Sequence, residues 1–129
     1  MKRATIISLA LILGFCLVAG AFAADADKDA IQKQVDEIVV SIDSGKKAQD
    51  FQDAAQNKPS YVFIMKEGGQ MLVHPSLVGQ SLKDKALPVY NECSKATADG
   101  AWVKYEWKGK EKNTYVRKTK DGLIVGSGY

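Results

Sequence analysis

The residues of this chain that could do chemistry are aromatic and cationic rather than nucleophilic. Tyr61 and Phe63 alternate in one apolar run, Tyr105 and Trp107 in a second, and Tyr115 and Arg117 in a third, with Lys112 just upstream. The single histidine, His74, stands before Pro75. Alternate positions of a strand share a face, so each run presents its pair together. Apolar walls exclude water, and a Lys or Arg donor then binds a carboxylate strongly. An aromatic box with one or two fixed cations therefore suits a small organic anion or a urea-like molecule. Catalysis finds little support. A hydrolase needs a nucleophile beside a positioned base, and the one histidine lies in a strand next to proline with no motif around it. No phosphate loop, dinucleotide fingerprint, zinc spacing or Cys-x-x-Cys-His haem attachment occurs. The expectation is a binding protein without metal or cofactor, not an enzyme.

Those runs need a sheet to hold them. Tyr61–Lys66 enters a Gly68-Gly69 turn and returns as Met71–His74, stopped by Pro75, which cannot donate a ladder hydrogen bond. Three further strands are expected at Ala101–Trp107, Asn113–Thr119 and Leu123–Tyr129, joined by the turns Lys108-Gly109-Lys110 and Lys120-Asp121-Gly122. Ahead of the sheet, Ile31, Val35, Ile38 and Ile42 recur at helical spacing, with Gln32, Lys33 and Asp36 on the opposite, solvated face. Ser44-Gly45 breaks that helix, and Lys46 to Asn57 reads as a second helical piece with Ala48, Phe51 and Ala55 inward. Leu82 to Leu87 suggests a short helical turn. Pro88 fits the first turn of the next helix, whose buried stripe is Val89, Cys93 and Ala96 and whose end is Asp99-Gly100. The order is long helix, two strands, helical connection, three strands, which makes an α+β sandwich.

The first residues read as a processing signal: Lys2 and Arg3, an apolar stretch from Ile6 to Val18, then Ala21-Phe-Ala23 with small residues at both cleavage positions. Residues 1–23 are expected to be a signal peptide cleaved after Ala23, leaving 24–129 as one periplasmic or secreted domain. An uncleaved N-terminal anchor is the alternative. The full chain carries a formal charge of +3, and removing Lys2 and Arg3 with the leader leaves +1. That is too near neutral, and too scattered, for nucleic acid. Cleavage also removes Cys16, so Cys93 has no internal disulfide partner and reads as a small buried hydrophobe.

Several pieces in order resemble the single Cache domain family, the PAS-like sensors of bacterial chemoreceptors and histidine kinases. They are Gly45-Lys-Lys47 with Phe51, Tyr61-Val-Phe-Ile64 with its Gly turn, and Leu72-Val-His-Pro75 with Gly79. Further on come Gly100-Ala-Trp-Val-Lys-Tyr-Glu-Trp107, Lys112-Asn-Thr-Tyr-Val116 and Val125-Gly-Ser-Gly-Tyr129. The likeness covers nearly all of residues 24–129. It implies a PAS-like fold, with a long N-terminal helix packed on one face of a five-stranded antiparallel sheet and a helical connection between strands 2 and 3. The ligand then lies under that connection. It also implies a pocket near Tyr61, Phe63, His74, Tyr105, Trp107, Lys112 and Tyr115. Lys112 matches the family's lysine before the Tyr-Val strand and is the choice for the anion-binding charge, with Arg117 in reserve.

Plain packing for Tyr61 and Phe63, a sheet cap for Trp107, a structural His74 and a solvated Lys112 remain open beside those roles. The stretch Ser81–Pro88 departs from the family in being shorter and more basic than its Asp-rich cover loop. The family's transmembrane helix and signalling module have no counterpart before Tyr129. The implied function is a periplasmic small-molecule sensor in signal transduction, of the kind used in chemotaxis, binding a short carboxylate or similar metabolite. Its partner would be a membrane receptor or kinase. The alternative is a non-catalytic interaction module with a self-filled pocket. Either form could pair as a homodimer through the N-terminal helix. An open cavity would favour the sensor, a plugged one the interaction module.

Overall fold

A computed structural model describes residues 27–129. The expected signal peptide and cleavage site lie outside the described residues. The chain divides into a unit ending at Ala30 and a compact unit Ile31–Tyr129. Of the first, only 27–30 are described, as exposed helix. Everything below concerns the second.

Residues 31–43 are helical (α1), and Ile31, Val35, Ile38, Val39 and Ile42 are buried along one stripe. The helix stops where the sequence says it must. Gly45 takes φ +117°, its N–H donates to the Ile42 carbonyl, and the Lys46 N–H donates to the Ser41 carbonyl. These paired bonds satisfy carbonyls that the last turn would leave bare, and glycine takes the left-handed position without a Cβ penalty. A 3₁₀ helix follows at Ala48–Gln56, where the Lys47 N–H donates to the Asp50 carboxylate at 3.1 Å. Ala48 and Ala55 are buried, and Phe51 packs on the same core.

The sheet strands are β1 (Val62–Met65), β2 (Met71–Val73), β3 (Ala101–Trp107), β4 (Lys110–Lys118) and β5 (Ile124–Gly128). All pairings are antiparallel, in the order β2-β1-β5-β4-β3. Between β2 and β3 lie two short helices, α2 (Leu82–Lys85) and α3 (Leu87–Cys93). Ser81 caps α2 by accepting from the Asp84 N–H, and Pro88 sits in the first turn of α3. The fold is α+β, a five-stranded antiparallel sheet with helices on both faces, as expected.

Strand alternation, interrupted by a bulge in the β1–β2 pairing that puts Met71 and Val73 on opposite faces, divides the core into two layers. Val62, Ile64, Val73, Tyr115 and Val125 meet α1 and the 3₁₀ helix on one face. Phe63, Met65, Met71, Val103, Val116 and Ile124 meet Leu82, Val89 and Cys93 of α2 and α3 on the other. The α2–α3 cover is fastened to the β1–β2 turn. The Leu82 N–H donates to the Gly69 carbonyl at 2.8 Å, and the Tyr90 hydroxyl donates to the Glu67 carbonyl at 2.6 Å. Gly69, at φ +101°, leaves only 3.1 Å between an added Cβ and Lys83, so the glycine permits this close approach.

Three expectations need correction. The last cover helix ends at Cys93 rather than at Asp99-Gly100. Ser94 to Gly100 instead forms turns and a parallel bridge from Thr97 to Arg117, and Ala96 is buried outside the helix. The β3–β4 turn has two residues, not three, because Lys110 already pairs with Trp107. Lys108 (φ 51°) and Gly109 (φ 79°) take the doubly left-handed geometry whose twist suits a two-residue hairpin. Asp36 is not on a solvated face. Its Oδ1 accepts from the Tyr115 hydroxyl and from Arg117 Nη1, each at 3.0 Å.

Candidate functional site

The turn at Lys108-Gly109 sets the β3–β4 register, and the register assigns the candidates to faces. Tyr105 pairs with Lys112, Val103 with Thr114, and Trp102 with Tyr115. Directly paired residues project to the same side of a sheet. Lys112 therefore joins Tyr105 and Trp107 on the α2–α3 face, and Tyr115 joins Trp102 on the α1 face.

On the α2–α3 face, Tyr61, Phe63, His74, Tyr105 and Trp107 come together around one small cavity, completed by Met71, Leu82 and Val89. Its volume is about 10 Å³, room for about one water. No acidic side chain lines it. Lys112 stands at its margin, with Nζ 5.3 Å from the centre of the Tyr61 ring. Partial burial lowers the Lys112 pKa. Among the described residues this ammonium forms no ion pair and no hydrogen bond, although other lysines do, such as Lys95 to Glu92 at 2.9 Å.

His74 is 5% exposed, and its Nδ1 accepts from two backbone N–H groups, of Ser76 at 3.0 Å and Leu77 at 3.1 Å. Both donors need the Nδ1 lone pair, so the neutral ring carries its proton on Nε2. Burial, with the Lys108 charge as a smaller influence, pulls the pKa from 6.5 to about 4. The ring is held edge-on to Tyr61 at 5.5 Å and to Trp107 at 6.3 Å. Its Nε2–H meets no acceptor among the described residues, and neither does the Tyr61 hydroxyl. Burial, followed by the nearby Cys93, raises the Tyr61 pKa, so that group remains a neutral donor.

Tyr105 is tied more firmly. Its hydroxyl accepts from Thr114 Oγ1 at 3.0 Å and hydrogen-bonds the Cys93 sulfur, while burial raises its pKa. Cys93 is wholly buried, and burial pushes its thiol up to about 12 despite that hydrogen bond. A thiol so protonated is a packing group rather than a nucleophile.

Tyr115 and Arg117 lie apart from this cavity. Besides Asp36, the Tyr115 hydroxyl meets the Asp99 carbonyl at 3.2 Å, and Arg117 Nε donates to the Ala98 carbonyl at 2.7 Å. Burial and the Asp36 carboxylate push the Tyr115 pKa up to about 12. Both side chains fasten α1 and the loop before β3 to β4. A three-residue β3–β4 turn would have paired Val103 with Tyr115 and brought Tyr115 to the cavity face. The observed two-residue turn shifts pairing by one, which exchanges the faces. Lys112 and Tyr115 also differ in parity, so a regular strand cannot present both on one side.

The sequence reading missed Met71, Leu82 and Val89 as cavity walls and Thr114 as the partner of Tyr105. Thr114 carried a usable signal, because strand parity puts it with Lys112. Leu82 and Val89 did not, since their placement depends on how the cover folds back.

No family model and no curated protein matches the chain. Among solved structures, the fold is similar to that of a methyl-accepting chemotaxis protein from Vibrio parahaemolyticus RIMD 2210633. The TM-score is 0.54 at 16% identity, over 81% of this chain and 88% of that one. The ligand-binding domain of Mlp24 with asparagine matches at TM-score 0.38 and 15% identity, over 54% of this chain. This chain spans only 27% of that structure's length. The first of these likenesses shows the fold alone: the sheet, with its helical connection between β2 and β3, is folded as in the Vibrio parahaemolyticus protein.

Proposed function

We propose that this domain is an extracytoplasmic sensor module that binds a small organic anion, a short carboxylate, between the sheet and the α2–α3 cover. It then passes its bound state to a partner such as a membrane receptor or kinase. One observation carries the reading: Lys112 Nζ, His74 Nε2–H and the Tyr61 hydroxyl are three donors without acceptors among the described residues, around an aromatic cavity that no acid lines. Donors collected in apolar surroundings await an acceptor, and a carboxylate supplies two oxygens. Export by the N-terminal leader belongs to the same proposal, as does a role in binding rather than catalysis.

The present volume, about 10 Å³, favours a second reading, an interaction module whose pocket is filled by its own side chains. Thermal denaturation against a panel of short carboxylates, amino acids, amines and urea separates the two. A ligand at a hundredfold excess over its Kd adds about 2.7 kcal/mol to stability. The sensor reading expects a carboxylate response that Lys112→Ala removes. A flat panel, repeated after unfolding and refolding to strip carried-over ligand, rejects it in favour of the interaction module.

A further inference from the structure

The cavity has a neighbour. A surface cleft of about 680 Å³ opens beside it, lined by Ala55, Gln56, Asn57, Lys58, Pro59 and Pro75. Its remaining wall is Tyr61, the one described residue that lines both this cleft and the small inner cavity. Tyr61 thus borders room for about one water in one direction, and in another space of the size that small-molecule sites occupy.

The other walls of the inner cavity are fixed. Phe63, Met71, Leu82 and Val89 are buried in the core. Tyr105 is held through its hydroxyl by Thr114 and Cys93, and His74 is held through Nδ1. Trp107 is half-exposed, with Lys108 Nζ 5.7 Å from its ring, but no described cleft adjoins it to receive the ring. Tyr61 differs on each count. It lies one residue before β1 begins at Val62, its hydroxyl has no acceptor among the described residues, and its ring is only partly buried at the edge of the core, against His74 and Lys112.

We propose that the Tyr61 ring is a movable wall. Turned into the outer cleft, it gives up its own volume to the inner cavity and uncovers His74 and Lys112 to a carboxylate admitted from that side. The inference rests on the anion-binding reading above and adds a size rule. The space gained is that of one six-membered ring, so the site takes carboxylates with a body no larger than that.

Iodide quenching of Trp107 fluorescence tests the wall without needing a ligand, in the full chain carrying Trp102→Phe so that one tryptophan reports. Tyr61→Ala should raise the quenching constant by about twofold or more, since a wall with room for one water becomes a passage, whereas Tyr61→Phe should leave it unchanged. If Tyr61→Ala does not fold, Tyr61→Val serves the same comparison. Thermal shifts with acetate and benzoate read the size rule in parallel. An apolar space of about 150 Å³ accepts benzene, so Tyr61→Ala should respond to benzoate more strongly than the unaltered protein does. Equal quenching in Tyr61→Ala and the unaltered protein overturns the movable wall, even where acetate still binds. Raised quenching with no response to any carboxylate keeps the wall and rejects the anion site.

Discussion

His74 should make this domain lose stability in mild acid, by an amount that follows from its surroundings. In the folded protein the ring is 5% exposed, and its Nδ1 is occupied by the Ser76 and Leu77 N–H groups. Protonation at Nδ1 would set a third N–H against those two donors and place a charge where water is scarce. The folded value, about 4, lies below the ordinary 6.5, so the unfolded chain takes up the proton first as pH falls. The stabilisation is therefore complete above pH 6.5 and erodes as pH drops toward 4. Linkage between those two values gives a loss of about 2 kcal/mol between pH 7.5 and pH 5. In a domain of this size that corresponds to roughly 8–16 °C in Tm.

The comparison variant is His74→Asn. Asparagine does not titrate, and its side-chain oxygen can accept from an N–H two residues on, as in an Asx turn. Urea unfolding at both pH values should show the loss in the natural protein, and about 2 kcal/mol less of it in the variant. Because the chain has one histidine, an NMR titration of its ring protons reads the same group directly and should find a midpoint near 4. A midpoint near 6.5, or identical pH dependence in the variant, would refute the reasoning.

Three other perturbations probe the two faces and the core. Arg117→Ala removes the 3.0 Å contact with Asp36 and the 2.7 Å bond to the Ala98 carbonyl. It should cost about 1–2 kcal/mol in urea unfolding, reduced by partial solvent exposure, and leave carboxylate affinity within about twofold because it lies on the other face. Gly126→Ala places a Cβ 2.3 Å from Phe63 Cζ. The ring must shift, and the cavity it lines has room for only about one water, so a loss of about 1–3 kcal/mol is expected, and an unchanged Tm would refute this packing. In a Cys16→Ser background, thiol labelling of Cys93 with DTNB at pH 8 should be at least about a thousandfold slower in the folded protein than in urea. The thiolate fraction alone accounts for that factor, and fast labelling of the folded chain would contradict the burial.

The local elements were legible because each is dictated by neighbours in sequence. The spacing of Ile31, Val35, Ile38 and Ile42 makes a helical stripe whatever it packs against. Gly45 ends that helix because the terminating bonds need a left-handed residue there. Period-two alternation likewise sorted Phe63 from Ile64 and Tyr105 from Lys104. The candidate site was less legible. Five of the eight expected residues line the cavity and Lys112 stands at its margin, but Tyr115 and Arg117 serve the α1 interface. That difference came from the β3–β4 turn, where Lys108 takes a positive φ that sequence alone would not assign to lysine.

From the sequence follow the α+β class, the positions of the strands and the residues that share a face within each strand, because these depend on interactions a few residues long. The tertiary structure decided which face of β4 meets which layer, since register couples residues across strands and a one-residue shift reverses every side chain. It also decided that Asp36 is a half-buried acceptor, that His74 spends Nδ1 on its own backbone, and that the cavity is nearly filled. Each of those depends on contacts between segments far apart in the chain, where distance in sequence carries no information about distance in space.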